Sequence, residues 1–69
     1  MKYNYTYLCE RIKKYYKNKE EFINDLGMKK DSFLAKINNE IDFEQEEIAK
    51  ICKLLKIPDN LICYYFFNK

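Results

Sequence analysis

The stretch Glu21-Phe22-Ile23-Asn24-Asp25-Leu26-Gly27-Met28-Lys29-Lys30-Asp31-Ser32-Phe33-Leu34-Ala35-Lys36-Ile37-Asn38-Asn39 decides how this chain folds. Phe22, Ile23 and Leu26 share one face of a helix. Asn18 stands just before it as a good N-cap, with Glu21 three residues on to complete a capping box. Gly27, the only glycine in the chain, ends this helix, because the residue just past a helix end often needs a positive φ. Phe33 and Ile37 then lie one turn apart, with Met28 entering the core ahead of them. Asn38-Asn39 stops the second helix, since Asn tolerates the left-handed conformation. The pattern predicts two short helices, over residues 19–26 and 30–37, meeting at one bend.

Working outward, Tyr5, Leu8, Ile12 and either Tyr15 or Tyr16 recur at helical spacing and predict an amphipathic helix over 5–16. Arg11, Lys13 and Lys14 fall on its polar side. Tyr3, Tyr5 and Tyr7 alternate with strand periodicity, which leaves an extended start to the chain open. On the other side, Asp42 as N-cap and Gln45 as its partner predict a helix over 43–56, with Glu44, Glu46 and Glu47 at the positive end of its dipole. Ile48, Ile51, Cys52 and Leu55 form the apolar stripe of this helix, and Lys53 and Lys56 sit in its last turn. Ile57-Pro58 stops it, and Pro58 opens a short fifth helix over about 59–63. The expected architecture is all-α, a compact bundle of four or five helices, with short extended termini left open.

The chain of 69 residues makes a single domain, which buries only about 60% of its unfolded surface and so needs a well-filled core or a partner. Its three cysteines, Cys9, Cys52 and Cys63, are odd in number and form no Cys-x-x-Cys pair. Each replaces an apolar residue in a helical pattern, so all three read as buried thiols in a reducing compartment. With no histidine, neither a zinc site nor another cofactor is expected. No apolar run reaches the roughly 20 residues of a membrane span, and no apolar stretch of a signal peptide follows Met1-Lys2-Tyr3-Asn4. A cytoplasmic protein without a membrane partner is expected. Charge is uneven: residues 1–38 carry nine Lys/Arg against five Asp/Glu, a balance of +4, and residues 39–69 carry four against six, a balance of −2. A basic half suits a surface turned to a polyanion.

Two short helices joined through one glycine, between a longer first helix and a closing fourth, describe a helix-turn-helix. The segment Glu21 to Met28 followed by Lys30 to Asn38 resembles that of the Cro/repressor family of phages and mobile elements, a λ-repressor-like type. Asp42-Phe43 through Leu54-Leu55-Lys56-Ile57-Pro58 and then Tyr65-Phe66-Phe67 is similar to the closing helices of small Gram-positive phage regulators of that family. The resemblance implies double-stranded DNA as partner, with the third helix in the major groove and the second across the backbone. It places the base-reading positions on Lys29, Lys30, Asp31, Leu34, Ala35 and Asn38. A helical wheel with Phe33 and Ile37 inward turns Asp31, Ser32, Ala35 and Asn38 outward, and puts Lys30, Leu34 and Lys36 at the flanks. By chemistry, Lys30 suits guanine O6 and N7, Asn38 adenine or a phosphate, Ala35 a thymine methyl, and Asp31 cytosine N4. Lys19, Lys29 and Lys36, with Lys14 and Lys17, suit phosphates. Lys29 opens the third helix without a side-chain acceptor to cap it.

Catalysis is not expected, since the chain has no histidine, no Gly-rich phosphate loop and no cysteine beside an activating base. No small-molecule substrate is therefore implied. Tyr64, Tyr65, Phe66 and Phe67 exceed what so small a core easily encloses, and are expected to close the core in part and to form a homodimer interface in part. The competing reading is the same fold used as a protein-binding module, an antirepressor or a phage inhibitor of a host factor. Leu34, Ile23 and a net charge of only +2 favour it.

Overall fold

A computed structural model describes residues 2–68. Among these residues, five α-helices and one 3-10 turn make up the regular structure, and there is no strand. The helices are α1 (Thr6–Tyr15), α2 (Lys19–Leu26), α3 (Lys30–Ile37), α4 (Gln45–Leu55) and α5 (Ile62–Phe66), with the 3-10 turn over Asp59–Leu61. The chain is all-α, as the periodicity predicts. Its radius of gyration is 11.0 Å, about the 11 Å expected of a compact chain of this length.

The two central helices begin and end where local chemistry places them. The Asn18 side chain accepts from the Glu21 N–H at 2.9 Å, and Gly27 takes φ +78° while its N–H donates to Ile23 O at 3.0 Å. After α3, Asn39 adopts φ +64°. α1 stops at Tyr15, and Tyr16 continues in extended backbone. That turn brings the Tyr16 ring, and not that of exposed Tyr15, against Phe22 at 5.3 Å.

α4 starts two residues later than the Asp42–Gln45 pairing predicts. Glu44 is its N-cap, and the Glu47 carboxylate accepts from the Glu44 N–H at 2.8 Å. The later start leaves Phe43 in the preceding loop, free to reach three other rings: Tyr5 at 5.3 Å, Phe33 at 6.2 Å and Phe66 at 5.5 Å. Edge-to-face aromatic pairs of this kind add about 0.5–1.5 kcal/mol each beyond burial, which favours Phe43 inward over a longer helix. The last helix also departs from the 59–63 reading. Pro58 caps the 3-10 turn, and α5 extends to Phe66, because its two inward residues, Tyr65 and Phe66, fill the end of the core.

Phe22, Phe33, Phe66, Leu8, Ile12, Ile51 and Leu55 are fully buried and form the centre of the molecule. The single arginine, assigned by the sequence to the polar side of α1, ties the bundle together. Arg11 Nε donates to Leu55 O at 3.0 Å, one terminal nitrogen to Lys56 O at 2.8 Å, and the other to the Tyr65 hydroxyl at 3.1 Å. It thus satisfies carbonyls at the C-terminus of α4, where a cation also meets the negative end of the helix dipole. Cys52 is buried and Cys9 half-buried, but Cys63 is exposed, contrary to the expectation for all three. With Tyr65 and Phe66 inward, position 63 of this short helix faces out.

Candidate nucleic-acid interface

α3 is held by one face and presents the rest. Phe33 is completely buried and Ile37 half-buried, which fixes the inward direction of the helix. Lys29, Lys30 and Asp31 at its start and Asn38 at its end are exposed, as is Lys19 at the start of α2. Ser32, Leu34 and Ala35 are half-buried, so the middle of the outward face is less open than the wheel predicts. Lys29 is the N-cap of α3 and makes no side-chain cap bond, as expected of a residue without an acceptor. Lys30 Nζ lies 3.5 Å from Glu20 Oε1, both side chains being mostly exposed. Such a surface pair contributes at most about 1 kcal/mol, so Lys30 can exchange Glu20 for a phosphate at little cost.

Lys36 differs from its expected place at the flank. It is 6% exposed, and its ammonium is paired with both carboxylate oxygens of Glu47. Position 36 lies one turn after Phe33, hence on the inner side of α3, facing the start of α4. The ammonium is neutralised there, so Lys36 does not stand free at the surface as the expected phosphate contact requires. Burial pushes the Glu47 carboxyl up, but the Glu44 N–H and the Lys36 ammonium together hold it below its ordinary value. Glu47 therefore does two jobs that the sequence reading missed, capping α4 and anchoring α3. Its place three residues after Glu44 was a legible signal for the first; nothing local pointed to the second.

The end of α3 is fastened from the N-terminal segment as well. The Asn39 side chain accepts from the Tyr3 N–H at 2.8 Å and donates to Tyr3 O at 2.8 Å. The backbone N–H of Asn4 donates to Asn68 O, which joins the N-terminal segment to the C-terminal one. The Tyr3-Tyr5-Tyr7 segment is thus non-helical up to Tyr5, as the alternation left open, but it is tied to a side chain and a loop instead of a strand.

The C-terminal aromatics divide into two pairs. Tyr65 is 9% and Phe66 1% exposed, while Tyr64 is 48% and Phe67 46% exposed. Tyr65 and Phe66 are therefore removed from the expected dimer surface, because one turn of helix cannot point four consecutive residues outward. Tyr64 stacks on exposed Tyr7 with ring centroids 4.7 Å apart. Among the described residues, no three His, Cys, Asp or Glu side chains stand close enough to hold a metal ion. No helix among them is long and apolar enough to cross a membrane.

The geometry defines a small helical bundle whose third helix, anchored by Phe33 and Lys36, keeps both ends of its outer face exposed. The chain belongs to the family described as a protein of unknown function, DUF739, whose model matches residues 1–69. No curated protein matches the chain.

Proposed function

We propose that the protein is a cytoplasmic, non-enzymatic transcription regulator of the helix-turn-helix type, similar to the Cro/repressor regulators of phages. It binds duplex DNA sequence-specifically with α3 in the major groove and α2 across the backbone. The observation that carries this reading is the exposure of Lys29, Lys30, Asp31 and Asn38 on a helix fixed from behind by a fully buried Phe33. Lys30, Asp31 and Asn38 supply base-edge chemistry, while Lys19 and Lys29 supply phosphate contacts. A homodimer is part of the proposal, with exposed Tyr7, Tyr64 and Phe67 as its aromatic surface. These rings are of the type enriched at interface centres.

The test is a salt titration of binding to mixed-sequence and selected duplexes by fluorescence anisotropy. Each phosphate contact lowers the slope of log K against log salt by about 0.9, so the Lys19 and Lys29 contacts of both protomers of a dimer give an expected slope steeper than about −3. Absence of binding at low salt overturns the reading.

The second reading, a module that binds another protein through α3, is favoured by one observation. With Lys36 withdrawn and Lys30 beside Glu20, the outward face of α3 holds little net positive charge around half-buried Leu34. A flat salt dependence with retained binding to a protein partner would select it.

A further inference from the structure

Three cations converge on one exposed ring at the end of α1. Over Tyr15, Arg11 Cζ stands 5.4 Å, Lys14 Nζ 5.8 Å and Lys56 Nζ 5.9 Å from the ring centroid. Lys14, Tyr15 and Lys56 are exposed, and among the described residues none of the three cations takes part in an ion pair. Arg11 is occupied by Leu55 O, Lys56 O and the Tyr65 hydroxyl, which leaves the two ammonium groups for a ligand. Like charges gathered this closely repel one another, and an anion relieves that repulsion.

Lys56 keeps its place against a local preference. It closes α4 at φ +55°, in the left-handed region where Cβ crowds the backbone and glycine is the usual residue. Asn39 also has a positive φ, but it is of a type that tolerates it, and its side chain is bonded to Tyr3. The Lys56 ammonium makes no hydrogen bond among the described residues, so the local backbone gives no reason for a lysine there. A strained position of this kind points to a use of the side chain.

The placement of the patch selects the kind of anion. Glu47, which pairs with Lys36 of α3, lies in the first turn of α4, and Lys56 closes its last. At a rise of about 1.5 Å per residue the two are about 13 Å apart along the helix, so the patch stands at the far end of α4 from that anchor. Tyr15 is no bare platform for a stacked base, since three cations already stand over it. Glu10 borders the adjoining cleft with Lys14, Tyr7 and Tyr64, and a continuous phosphate backbone leaving the patch on that side would meet its carboxylate. A short run of carboxylates needs only the two ammonium groups.

We propose that Lys14 and Lys56, held over Tyr15, dock a short acidic segment of a partner protein. This surface is separate from the outer face of α3 and does not depend on DNA binding.

Titration of the intact protein at low salt with an acetylated tetraglutamate peptide, followed by NMR, tests the patch. Saturable shifts in the millimolar range are expected at Lys14, Tyr15 and Lys56, and none with tetraglutamine. Lys14→Gln is expected to weaken binding by up to about fivefold, the reach of an exposed ion pair. Lys56→Gly should raise Tm, because it relieves the left-handed backbone, while weakening peptide binding by a similar factor. Both side chains are exposed, so the fold survives either change. A deoxythymidine tetranucleotide that binds more tightly than the peptide would assign the patch to nucleic acid. A dimer that dissociates in sedimentation velocity on the double change Lys14→Gln, Lys56→Gln would assign it to a second copy. Either result overturns the proposal, as does the absence of saturable shifts or an unchanged peptide affinity in Lys56→Gly.

Discussion

Lys36 of α3 and Glu47 of α4 form a charge pair that is largely removed from water, with Glu47 also accepting the N–H that caps its own helix. Removing one partner leaves the other desolvated and alone. Lys36→Met and Glu47→Gln are each expected to lower stability by about 2–3 kcal/mol, somewhat less than the 3–5 of a fully buried pair. The double variant Lys36→Met, Glu47→Gln should recover part of that loss. Urea denaturation of the four proteins as a double-mutant cycle checks this, and additive losses would show the pair to be uncoupled.

The same pair sets an acid limit. The Glu47 carboxyl is held below its ordinary 4.5 in the folded protein, so the unfolded chain takes up the proton first as pH falls. Its contribution to stability is complete above that value and is lost as pH drops through the lower, folded value. The urea midpoint is expected to fall below about pH 4.5, and the fall should be shallower in Glu47→Gln. Identical acid limbs in both proteins would exclude the pair as its source.

Arg11 spans three groups that come together only on folding, Leu55 O, Lys56 O and the Tyr65 hydroxyl. Lysine cannot reproduce its planar fork. Arg11→Lys is expected to cost about 1–2 kcal/mol and Arg11→Ala more, equivalent to a fall in Tm of roughly 4–8 °C per kcal/mol for a domain of this size. A thermal melt by circular dichroism decides, an unchanged Tm in Arg11→Ala being the adverse result.

If α3 reads DNA, Lys29→Ala with Lys30→Ala should weaken binding at least severalfold and, in a dimer, flatten the salt slope by about 2, since the Lys29 phosphate contact of each protomer accounts for about 1. The helical circular dichroism should not change, since both side chains are exposed. Lys36→Ala is expected to differ, acting through stability and not through the salt slope. Affinity equal to the parent's in the double variant would remove both lysines from the interface.

Tyr64→Ser is expected to shift the protein towards monomer in sedimentation velocity without lowering its Tm, because Tyr64 is 48% exposed. Tyr65→Ser, 9% exposed, should lower Tm instead. A dimer untouched by Tyr64→Ser would place the interface elsewhere.

The helical class, the two central helices from Lys19 to Leu26 and from Lys30 to Ile37, and the bend at Gly27 are legible in the residues alone. These rest on local physics: the spacing of Phe22, Ile23 and Leu26, the Asn18 cap, and the backbone freedom of glycine at positive φ. Which charged and aromatic residues face water depends on how the helices pack together. Lys36 turns inward because Glu47 waits on α4, Arg11 because α4 ends beside it, and Phe43 leaves its predicted helix because three rings receive it. Each of these partners lies between 10 and 54 positions away in the chain. Periodicity within one element reports the burial of its own apolar stripe, and it carries no information about a charge or a ring brought up by another.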